Sequence, residues 1–448
     1  MDRRALIGAG FAAASPPLHR AFSAFSRRAR PVPTPAQLRW QREEVAIFVH
    51  FTVNTFTGRE WGDGTESPAI FAPAALDARS WARAARAAGA RAMVLTAKHH
   101  DGFCLWPTRT TGHSVRASPW RGGAGDVVRE FVDACRAEQL GTGLYLSPWD
   151  RHEPSYGDTP RYNDFYAAQL RELLTGYGPI GEVWFDGANG EGPNGKRQAY
   201  DWPRIHRIVR ELQPGAVIFS DAGPDVRWIG NEKGVAGETC WSTIDPAAVP
   251  YPGYDAPGVG EILQRGDPDG SVWRPGETDV SIRPGWFWRA EEDEQVRSVD
   301  NLLGLYFTSV GRNSKLLLNV PPTRSGLFHP TDVARLQAFG ARLGAMRDTD
   351  AARGARVSRG GGMLELALPR PAAFDVVSLQ EDIGRGQVVE RYRVEAMAGG
   401  AWRTISRGTT IGYRKLDRIT QLTASRVRLV VESALDTPQL ARVSLHRS

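Results

Sequence analysis

Cysteine is scarce in this chain of 448 residues, and the three cysteines, Cys104, Cys135 and Cys240, lie far apart in the sequence. An odd number of widely separated cysteines does not indicate a disulfide framework. The chain also has no apolar run long enough to cross a lipid bilayer. Its 41% hydrophobic and 24% charged residues are ordinary values for a globular protein. We therefore expect a folded protein with a sizeable core, no disulfide framework and no membrane span.

Two further absences narrow the function. The net charge of +6 comes mainly from scattered arginines, and no basic block is interleaved with aromatic residues, so we expect no nucleic-acid partner. No two histidines are spaced as His-x-His or His-x3-His on one element, and no cysteine lies near enough to complete a tetrahedral metal site. We therefore expect neither a metal nor a cofactor.

The N-terminus has the pattern of a targeting segment. Paired arginines, Arg3 and Arg4, precede a short apolar stretch that ends in small residues. This order is typical of a bacterial twin-arginine export signal. We expect residues 1–30 to be this signal and a linker, and we expect a periplasmic or secreted protein. Export of a chain that folds in a reducing cytoplasm is consistent with the lack of a disulfide framework.

Residues 31–350 alternate between strand patterns and helix patterns. Six strands are predicted at 45–51, 91–98, 142–147, 181–185, 216–220 and 315–322. Two more are inferred in the Gly-, Pro- and Trp-rich segment 221–289, where the pattern does not place them. Alternation of this kind favours a parallel sheet with crossover helices. The α/β fold predicted is a (β/α)8-type, TIM-like barrel.

Residues 351–448 have a different pattern. Short stretches of alternating apolar and polar residues are separated by glycine turns. This pattern predicts a C-terminal β-sandwich. No cluster of aromatic residues is evident there, so support of the barrel is the role we favour, with sugar binding as the alternative.

A carboxylate follows the strand predicted at 181–185. The run 181–187 reads GEVWFDG, so an apolar strand ends in Asp186 and is broken at once by glycine. In a parallel barrel the C-terminal ends of the strands open onto the face that carries the active site. A simple turn is the alternative, because Asp and Gly are common turn residues. The strands before it also end in polar side chains, His50, the pair His99 and His100, and Tyr145, which would share the same face.

Five short motifs carry a resemblance to a known family. They are HF at 50–51, EWG at 60–62, KHHDGFCLW at 98–106, VWFDG at 183–187 and LNVPP at 318–322. In this order they resemble the retaining α-L-fucosidases of glycoside hydrolase family 29, and the resemblance runs from about residue 37 to the C-terminus. It implies a barrel followed by a β-sandwich, as the pattern predicts independently. It also implies a fucosylated oligosaccharide or glycoconjugate as substrate.

The resemblance assigns the two catalytic carboxyl groups. Asp186 is implied as the nucleophile of a double displacement, and a second carboxyl group must act as acid and then as base. Glu232, Glu238 and Glu277 are candidates for the second role. The run RWIGNE at 227–232 resembles the branch that cleaves α-1,3 and α-1,4 fucosyl links, so we favour Glu232, with Glu277 as the alternative.

The same resemblance implies the residues that contact the sugar. Histidines and Glu60 would bind hydroxyl groups, and tryptophans would flank the ring, because an indole face matches the apolar face of a pyranose. The expected binding residues are His50, Glu60, Trp61, His99, His100, Tyr145, Trp184, Glu277, Arg283 and Trp286. Two other functions remain open. One is hydrolysis of α-L-galactosides on the same scaffold, and the other is a catalytically inactive sugar-binding protein.

Overall fold

Eight parallel strands close into a barrel, and each strand pairs with the next in the sequence until the eighth pairs with the first. A computed structural model describes residues 30–448. The predicted export signal therefore lies outside the described residues, apart from Arg30. The barrel strands are β1 (Val45–Val49), β2 (Ala92–Lys98), β3 (Gly141–Leu146), β4 (Glu182–Trp184), β5 (Val217–Ser220), β6 (Val226–Trp228), β7 (Gly276–Ser281) and β8 (Ser314–Asn319).

The first strands of the barrel are buried on both faces. Every side chain of β1 and β2 is buried, which is why the two segments read as continuous apolar runs rather than as alternating patterns. One face packs against the surrounding helices, and the other faces a cluster inside the barrel that includes Phe48, Tyr145, Trp184 and Phe219. The predicted strands at 45–51, 91–98 and 142–147 are confirmed within about two residues.

Helices alternate with the barrel strands. Ala78–Ala87 and Val127–Ala137 have aspartate N-caps, Asp77 and Asp126, whose side chains accept hydrogen bonds from N3 backbone groups. The helices are α1 (Pro35–Glu43), α2 (Val53–Thr57), α3 (Ala78–Ala87), α4 (Val127–Ala137), α5 (Thr159–Gly176), α6 (Trp202–Leu212), α7 (Val259–Arg265), α8 (Val299–Thr308) and α9 (Pro330–Asp348). The predicted (β/α)8-type architecture is confirmed.

The C-terminal part is an antiparallel sheet of six strands. The strands are β9 (Arg356–Gly360), β10 (Met363–Glu381), β11 (Val389–Ala398), β12 (Ala401–Thr409), β13 (Lys415–Ala434) and β14 (Leu440–His446). Strand β10 pairs with β9 through its first half, with β14 through its second half and with β13 along both. The sheet has its own buried cluster, which includes Phe374 and Leu429. The prediction of a C-terminal β-sandwich module agrees with this domain.

The barrel and the C-terminal sheet pack directly against each other, and Pro31–Ser448 form one compact unit. Asn313, in the turn before β8, accepts a hydrogen bond from the backbone N–H of Tyr413 at 2.7 Å and donates to Gln387 at 3.2 Å. Helix α9 ends at Asp348 and β9 begins at Arg356, on either side of the domain boundary predicted at residue 350. None of the helices in residues 30–448 combines the length and the apolar character that a membrane crossing requires.

Candidate active site

A cavity of about 220 Å³ opens at the carboxyl ends of the barrel strands. His50 directly follows β1, His99 and His100 follow β2, and Asp186 lies two residues beyond the end of β4. Strands that end at one rim therefore bring together side chains that are far apart in the sequence. The cavity is lined by Phe48, His50, Trp61, His99, His100, Tyr145, Trp184, Asp186, Gly187, Ala188, Phe219, Asp221, Trp228, Glu232, Asp279 and Trp286.

Asp186 is held by two hydrogen bonds. Its Oδ1 accepts from the backbone N–H of Ala188 at 2.7 Å, and its Oδ2 accepts from the hydroxyl of Tyr145 at 3.3 Å. Burial raises the pKa of Asp186, whereas these two hydrogen bonds oppose the rise because they stabilise the carboxylate. The side chain is 28% exposed, so the carboxylate is fixed and still open to the cavity.

Glu232 reaches the same cavity from the loop after β6. Its Oε2 accepts a hydrogen bond from the indole N–H of Trp286 at 3.3 Å. Partial desolvation raises the pKa of Glu232, the indole hydrogen bond lowers it, and the nearby charge of Asp186 raises it. Two carboxyl groups thus share one cavity, and the charge on Asp186 favours the protonated form of Glu232.

Three histidines form one wall of the cavity, and each is buried. The ring centroids of His99 and His100 lie 4.1 Å apart, and those of His50 and His99 lie 5.4 Å apart. Burial lowers the pKa of His50 and of His100 to about 3, and it also lowers that of His99. All three rings are therefore neutral at pH 7. Asp101 does not line the cavity, and its carboxyl group accepts a hydrogen bond from Thr52 at 2.7 Å.

Aromatic rings form the rest of the cavity wall. The rings of Trp184 and Phe219 stack with centroids 4.1 Å apart, and Phe48 lies 5.2 Å from Trp184. Trp61 differs from them because 55% of its surface is exposed at the mouth. Flat apolar rings beside fixed polar groups suit a sugar, which has both apolar C–H faces and hydroxyl groups.

Three predicted site residues, Glu60, Glu277 and Arg283, do not line the cavity. Glu277 is fully buried one layer deeper in the barrel, where the indole of Trp184 donates to it at 3.0 Å. Arg283 is buried in ion pairs with Asp332 and Asp293. Glu60 lies behind Trp286 and accepts from its backbone N–H at 2.5 Å.

The position of each of these three residues outside the lining has a physical reason. Glu277 is the second residue of β7, two residues before Asp279, which lines the cavity, so it is too deep to contact a ligand. Arg283 is buried and Glu60 is half-buried, and both charges are satisfied by ion pairs with protein partners. Glu238, the third candidate for the acid, is 83% exposed and lies outside the lining of the cavity.

Several lining residues were not assigned from the sequence. Asp279 lies on the inner face of β7, and its Oδ1 accepts from the indole of Trp228 at 2.7 Å. Asp221 follows β5 and accepts from the backbone N–H of Gly253 at 2.8 Å. A side chain at residue 187 would clash with Asp221, so the glycine after the catalytic strand permits this close approach. The signal for Asp279 is its spacing of two residues from Glu277, which places both on one face of a strand.

Comparison with known proteins decides the family. A sequence profile described as Alpha-L-fucosidase matches residues 34–346. The chain belongs to the α-L-fucosidase family, glycoside hydrolase family 29. Alpha-L-fucosidase 1 of Arabidopsis thaliana is 42% identical over 450 residues, which cover 93% of this chain and 87% of that protein. The α-L-fucosidase function and the glycoside hydrolase class follow from this membership.

Solved structures of the family have the same fold. A glycoside hydrolase 29 family member from an unknown rumen bacterium has a TM-score of 0.88 and 40% identity, covering 94% of this chain and 78% of that one. A Ruminococcus gnavus GH29 fucosidase solved in complex with fucose has a TM-score of 0.83 and 32% identity, covering 95% and 97% of the two chains. The α-L-fucosidase fold therefore extends over both the barrel and the C-terminal domain.

Proposed function

We propose that this α-L-fucosidase releases terminal α-L-fucosyl residues by a retaining double displacement, with Asp186 as nucleophile and Glu232 as acid/base. The observation that carries this proposal is that both carboxyl groups line one cavity at the carboxyl end of the barrel. A retaining glycosidase needs two such groups flanking a single glycosidic bond. The aromatic and histidine walls supply contacts for the sugar ring.

In the first displacement Asp186 would attack the anomeric carbon. Its two hydrogen-bond donors, Ala188 N–H and the Tyr145 hydroxyl, stabilise the ionised form that a nucleophile requires. The attack forms a glycosyl ester on Asp186 and breaks the bond to the leaving group. Glu232 donates its proton to the departing oxygen, so the leaving group departs as a neutral alcohol.

In the second displacement Glu232 would act as the base. Once Asp186 is esterified its negative charge is gone, and that charge is one of the causes that raise the pKa of Glu232. The pKa of Glu232 therefore falls at the step where the residue must accept a proton. Water attacks the ester, Glu232 takes its proton, and fucose leaves with its original anomeric configuration.

The two roles can be tested separately. We expect Asp186→Ala to lose about four orders of magnitude in kcat, with partial recovery in azide, because a small anion can occupy the vacated space. We expect Glu232→Ala to lose far more activity on substrates with poor leaving groups than on aryl fucosides. Glu238→Ala is the matched control, because Glu238 is exposed and outside the cavity. Full activity in Asp186→Ala, or equal losses on both substrate classes in Glu232→Ala, would overturn the assignments.

The sugar and the linkage need their own measurements. The run 227–232 resembles the branch specific for α-1,3 and α-1,4 links, so we propose that Lewis-type trisaccharides are cleaved faster than α-1,2-fucosides. Fucose carries a methyl group where L-galactose carries a hydroxymethyl group, and the apolar rings of the cavity favour the methyl group. Faster hydrolysis of nitrophenyl α-L-galactoside than of the corresponding fucoside would contradict the choice of sugar. Equal cleavage of α-1,2 links would contradict the branch.

We also propose that the chain is exported through the twin-arginine route. The pair Arg3 and Arg4 supports this, and the free, buried cysteines Cys104, Cys135 and Cys240 fit a protein that folds before export. Replacing both arginines by lysine should retain the enzyme in the cytoplasm. Unchanged periplasmic activity in that variant would reject the proposal.

A further inference from the structure

Two histidines of the cavity wall contact protein oxygen atoms through the same ring nitrogen. Nδ1 of His100 lies 2.7 Å from the hydroxyl of Ser147, and Nδ1 of His50 lies 2.8 Å from the amide oxygen of Asn319. A neutral imidazole carries one proton, and the hydrogen bond made by one nitrogen decides which nitrogen carries it. The surroundings of Ser147 and Asn319 therefore determine what each ring offers to a ligand.

The tautomer of His100 is determined by a hydrogen bond from Ser147 to Trp149. The hydroxyl of Ser147 donates to the backbone carbonyl of Trp149 at 2.7 Å, and a carbonyl oxygen can only accept. Since the hydroxyl has a single proton, Ser147 must act as acceptor toward His100. Nδ1 of His100 then carries the ring proton, and Nε2 carries a lone pair.

The tautomer of His50 is determined by two acceptors that fix the orientation of the Asn319 amide. The amide nitrogen of Asn319 donates to the carbonyl of Trp286 at 2.9 Å and to the hydroxyl of Ser281 at 3.0 Å. Ser281 in turn donates to the carbonyl of Gly285 at 2.7 Å. A flipped amide would place two oxygen atoms against each other, so the amide oxygen faces His50. Nδ1 of His50 must therefore carry the proton.

The other nitrogen of each ring remains for a ligand. His50 and His100 both line the cavity, and no described residue forms a hydrogen bond with Nε2 of either ring. Nε2 of His100 lies 3.9 Å from Oδ2 of Asp186, which is beyond hydrogen-bond distance. Burial keeps both rings neutral, as their low pKa values show, so Nε2 is not protonated at pH 7. His99 lacks such a constraint, because its Nδ1 is buried without a partner among the described residues.

We propose that Ser147 and Asn319 hold His100 and His50 as Nδ1–H tautomers, so that each presents Nε2 to the cavity as an acceptor that selects a ligand hydroxyl group. The substrate class this implies is a sugar with free hydroxyl groups at two positions, each of which donates its proton to a histidine. The identity of the sugar rests on the proposed function, whereas the tautomers rest on the hydrogen bonds alone. Ser147 and Asn319 are positioning residues.

The direction of these hydrogen bonds has a chemical consequence. A fluorine atom can replace a hydroxyl group as a weak acceptor, but it has no proton to donate. At a position that contacts His50 or His100, fluorine should therefore be as poor as hydrogen. Esters, methyl ethers and sulfate groups at these positions should be rejected for the same reason, since each lacks the donor.

The tautomers can be measured directly. Long-range proton–nitrogen NMR of protein labelled with 15N-histidine separates Nδ1–H from Nε2–H rings, and His50→Phe and His100→Phe assign the signals. We expect the Nδ1–H pattern for both residues at pH 7. Ser147→Ala should convert only the His100 signal to a mixture, Asn319→Ala only the His50 signal, and Ser147→Thr should keep the wild-type pattern. An Nε2–H or protonated pattern at either ring in the wild type would overturn the proposal.

A ligand series tests the selection. L-Fucose and its monodeoxy and monodeoxyfluoro derivatives at C2, C3 and C4 would be compared as competitive inhibitors of aryl fucoside hydrolysis. At two positions we expect hydrogen and fluorine to weaken inhibition equally, by about ten-fold. The penalty at one of them should vanish in His100→Phe. Fluorine restoring most of the affinity at all three positions would contradict the proposal. If the protein cleaves no fucoside the proposed function fails, and the NMR result still decides the tautomers.

Discussion

The indole N–H of Trp286 donates to Oε2 of Glu232 at 3.3 Å, and the backbone N–H of the same residue donates to Oε1 of Glu60 at 2.5 Å. Arg289 forms an ion pair with Oε2 of Glu60. Glu60 therefore acts through Trp286, which it holds against the proposed acid/base. Glu60 was expected to contact the sugar, but it contacts Trp286, and Trp286 contacts Glu232.

Replacement of Trp286 by phenylalanine should shift the pH dependence of catalysis. The indole N–H stabilises the ionised form of Glu232, so its loss should raise the pKa of Glu232. Because Glu232 must be protonated in the first step, the basic limb of kcat/KM should move to higher pH. We also expect kcat/KM at its optimum to fall about ten-fold, as the ring loses area and a hydrogen bond to a charged group. A pH-rate profile on an aryl fucoside measures both effects.

Trp288→Phe is the matched control for this prediction. The indole N–H of Trp288 donates to Asp293 at 3.1 Å, in the same segment but outside the lining of the cavity. Its profile should match that of the wild type. A basic limb that stays in place in Trp286→Phe, or that moves equally in both variants, would show that the indole does not tune Glu232.

Asp279→Asn should make stability less dependent on pH. Burial, then the charge of Glu232, raises the pKa of Asp279 to about 8 in the folded protein, far above its ordinary value near 4. Between these two values the folded state binds the proton more tightly than the unfolded state. This residue therefore costs stability as pH rises from about 4 to 8, at up to about 1.4 kcal/mol per pH unit. The asparagine variant keeps the oxygen that accepts from Trp228 and has no proton to lose.

Urea unfolding of both proteins at pH 5 and pH 8 measures this difference. We expect the free energy of unfolding to fall less between the two pH values in Asp279→Asn than in the wild type. Asp101→Asn serves as a comparison, because burial also raises the pKa of Asp101, to about 7, away from the cavity lining. Equal slopes for Asp279→Asn and the wild type would show that Asp279 is ionised in the folded protein.

The strands that the sequence pattern placed and those it left open differ in what their inner faces carry. In β1 and β2 both faces are apolar, so the runs are recognisable. In β7 the inward side chains are Glu277 and Asp279, so the segment lacks the apolar alternation of a strand. Strand β6 has only three residues, and its central residue is the buried Arg227. A barrel strand with charged inward side chains lacks the apolar periodicity from which strands are predicted.

The site divides in the same way. Residues at the ends of recognisable strands, such as His50, His100 and Asp186, were predicted in the cavity and line it. Residues on the two strands that could not be placed, Trp228 and Asp279, were not. Glu60 and Arg283 were assigned by family resemblance, and their ion pairs with charged partners depend on tertiary contacts that no local pattern encodes.

Lys315→Met should destabilise the barrel more at high pH than at low pH. The ammonium group of Lys315 is fully buried, 2.7 Å from Glu43, 3.2 Å from Glu182 and 3.8 Å from Glu277. Removal of this cation leaves buried carboxylates unpaired, for an expected loss of about 3–5 kcal/mol. Lys315 lowers the pKa of Glu43 and of Glu277, so without the cation both pKa values rise further in the folded state and stability is lost as pH rises.

Unfolding of Lys315→Met at pH 5 and pH 8 tests this reasoning. The deficit relative to the wild type should be smaller at pH 5, where protonation can neutralise the carboxyl groups. Addition of Glu182→Gln and Glu277→Gln should recover part of the stability at pH 8, since the amides carry no charge. A deficit that is equal at both pH values would mean that packing, rather than charge, is what Lys315 contributes.

Asn313 connects the barrel to the C-terminal sheet, and its substitution should separate hydrogen bonding from backbone strain. Its amide nitrogen donates to the carbonyl of Cys240 and the hydroxyl of Ser242, each at 3.0 Å, besides its contacts with Gln387 and Tyr413. Its φ of 61° lies in the left-handed region, which asparagine and glycine tolerate better than alanine does. Both Asn313→Gly and Asn313→Ala lose the hydrogen bonds, so both should unfold at lower temperature than the wild type.

The relative stability of Asn313→Gly and Asn313→Ala follows from two conformational costs of different size. The left-handed conformation destabilises the alanine variant by about 1–2 kcal/mol. The greater freedom of the unfolded chain destabilises the glycine variant by about 0.4–1 kcal/mol. Glycine should therefore be the more stable variant, about 2–4 kcal/mol below the wild type from its lost hydrogen bonds. Fucosidase activity at 25 °C should be unchanged in both, because Asn313 does not line the cavity. Glycine as stable as asparagine would show that the side-chain hydrogen bonds of Asn313 contribute nothing to stability.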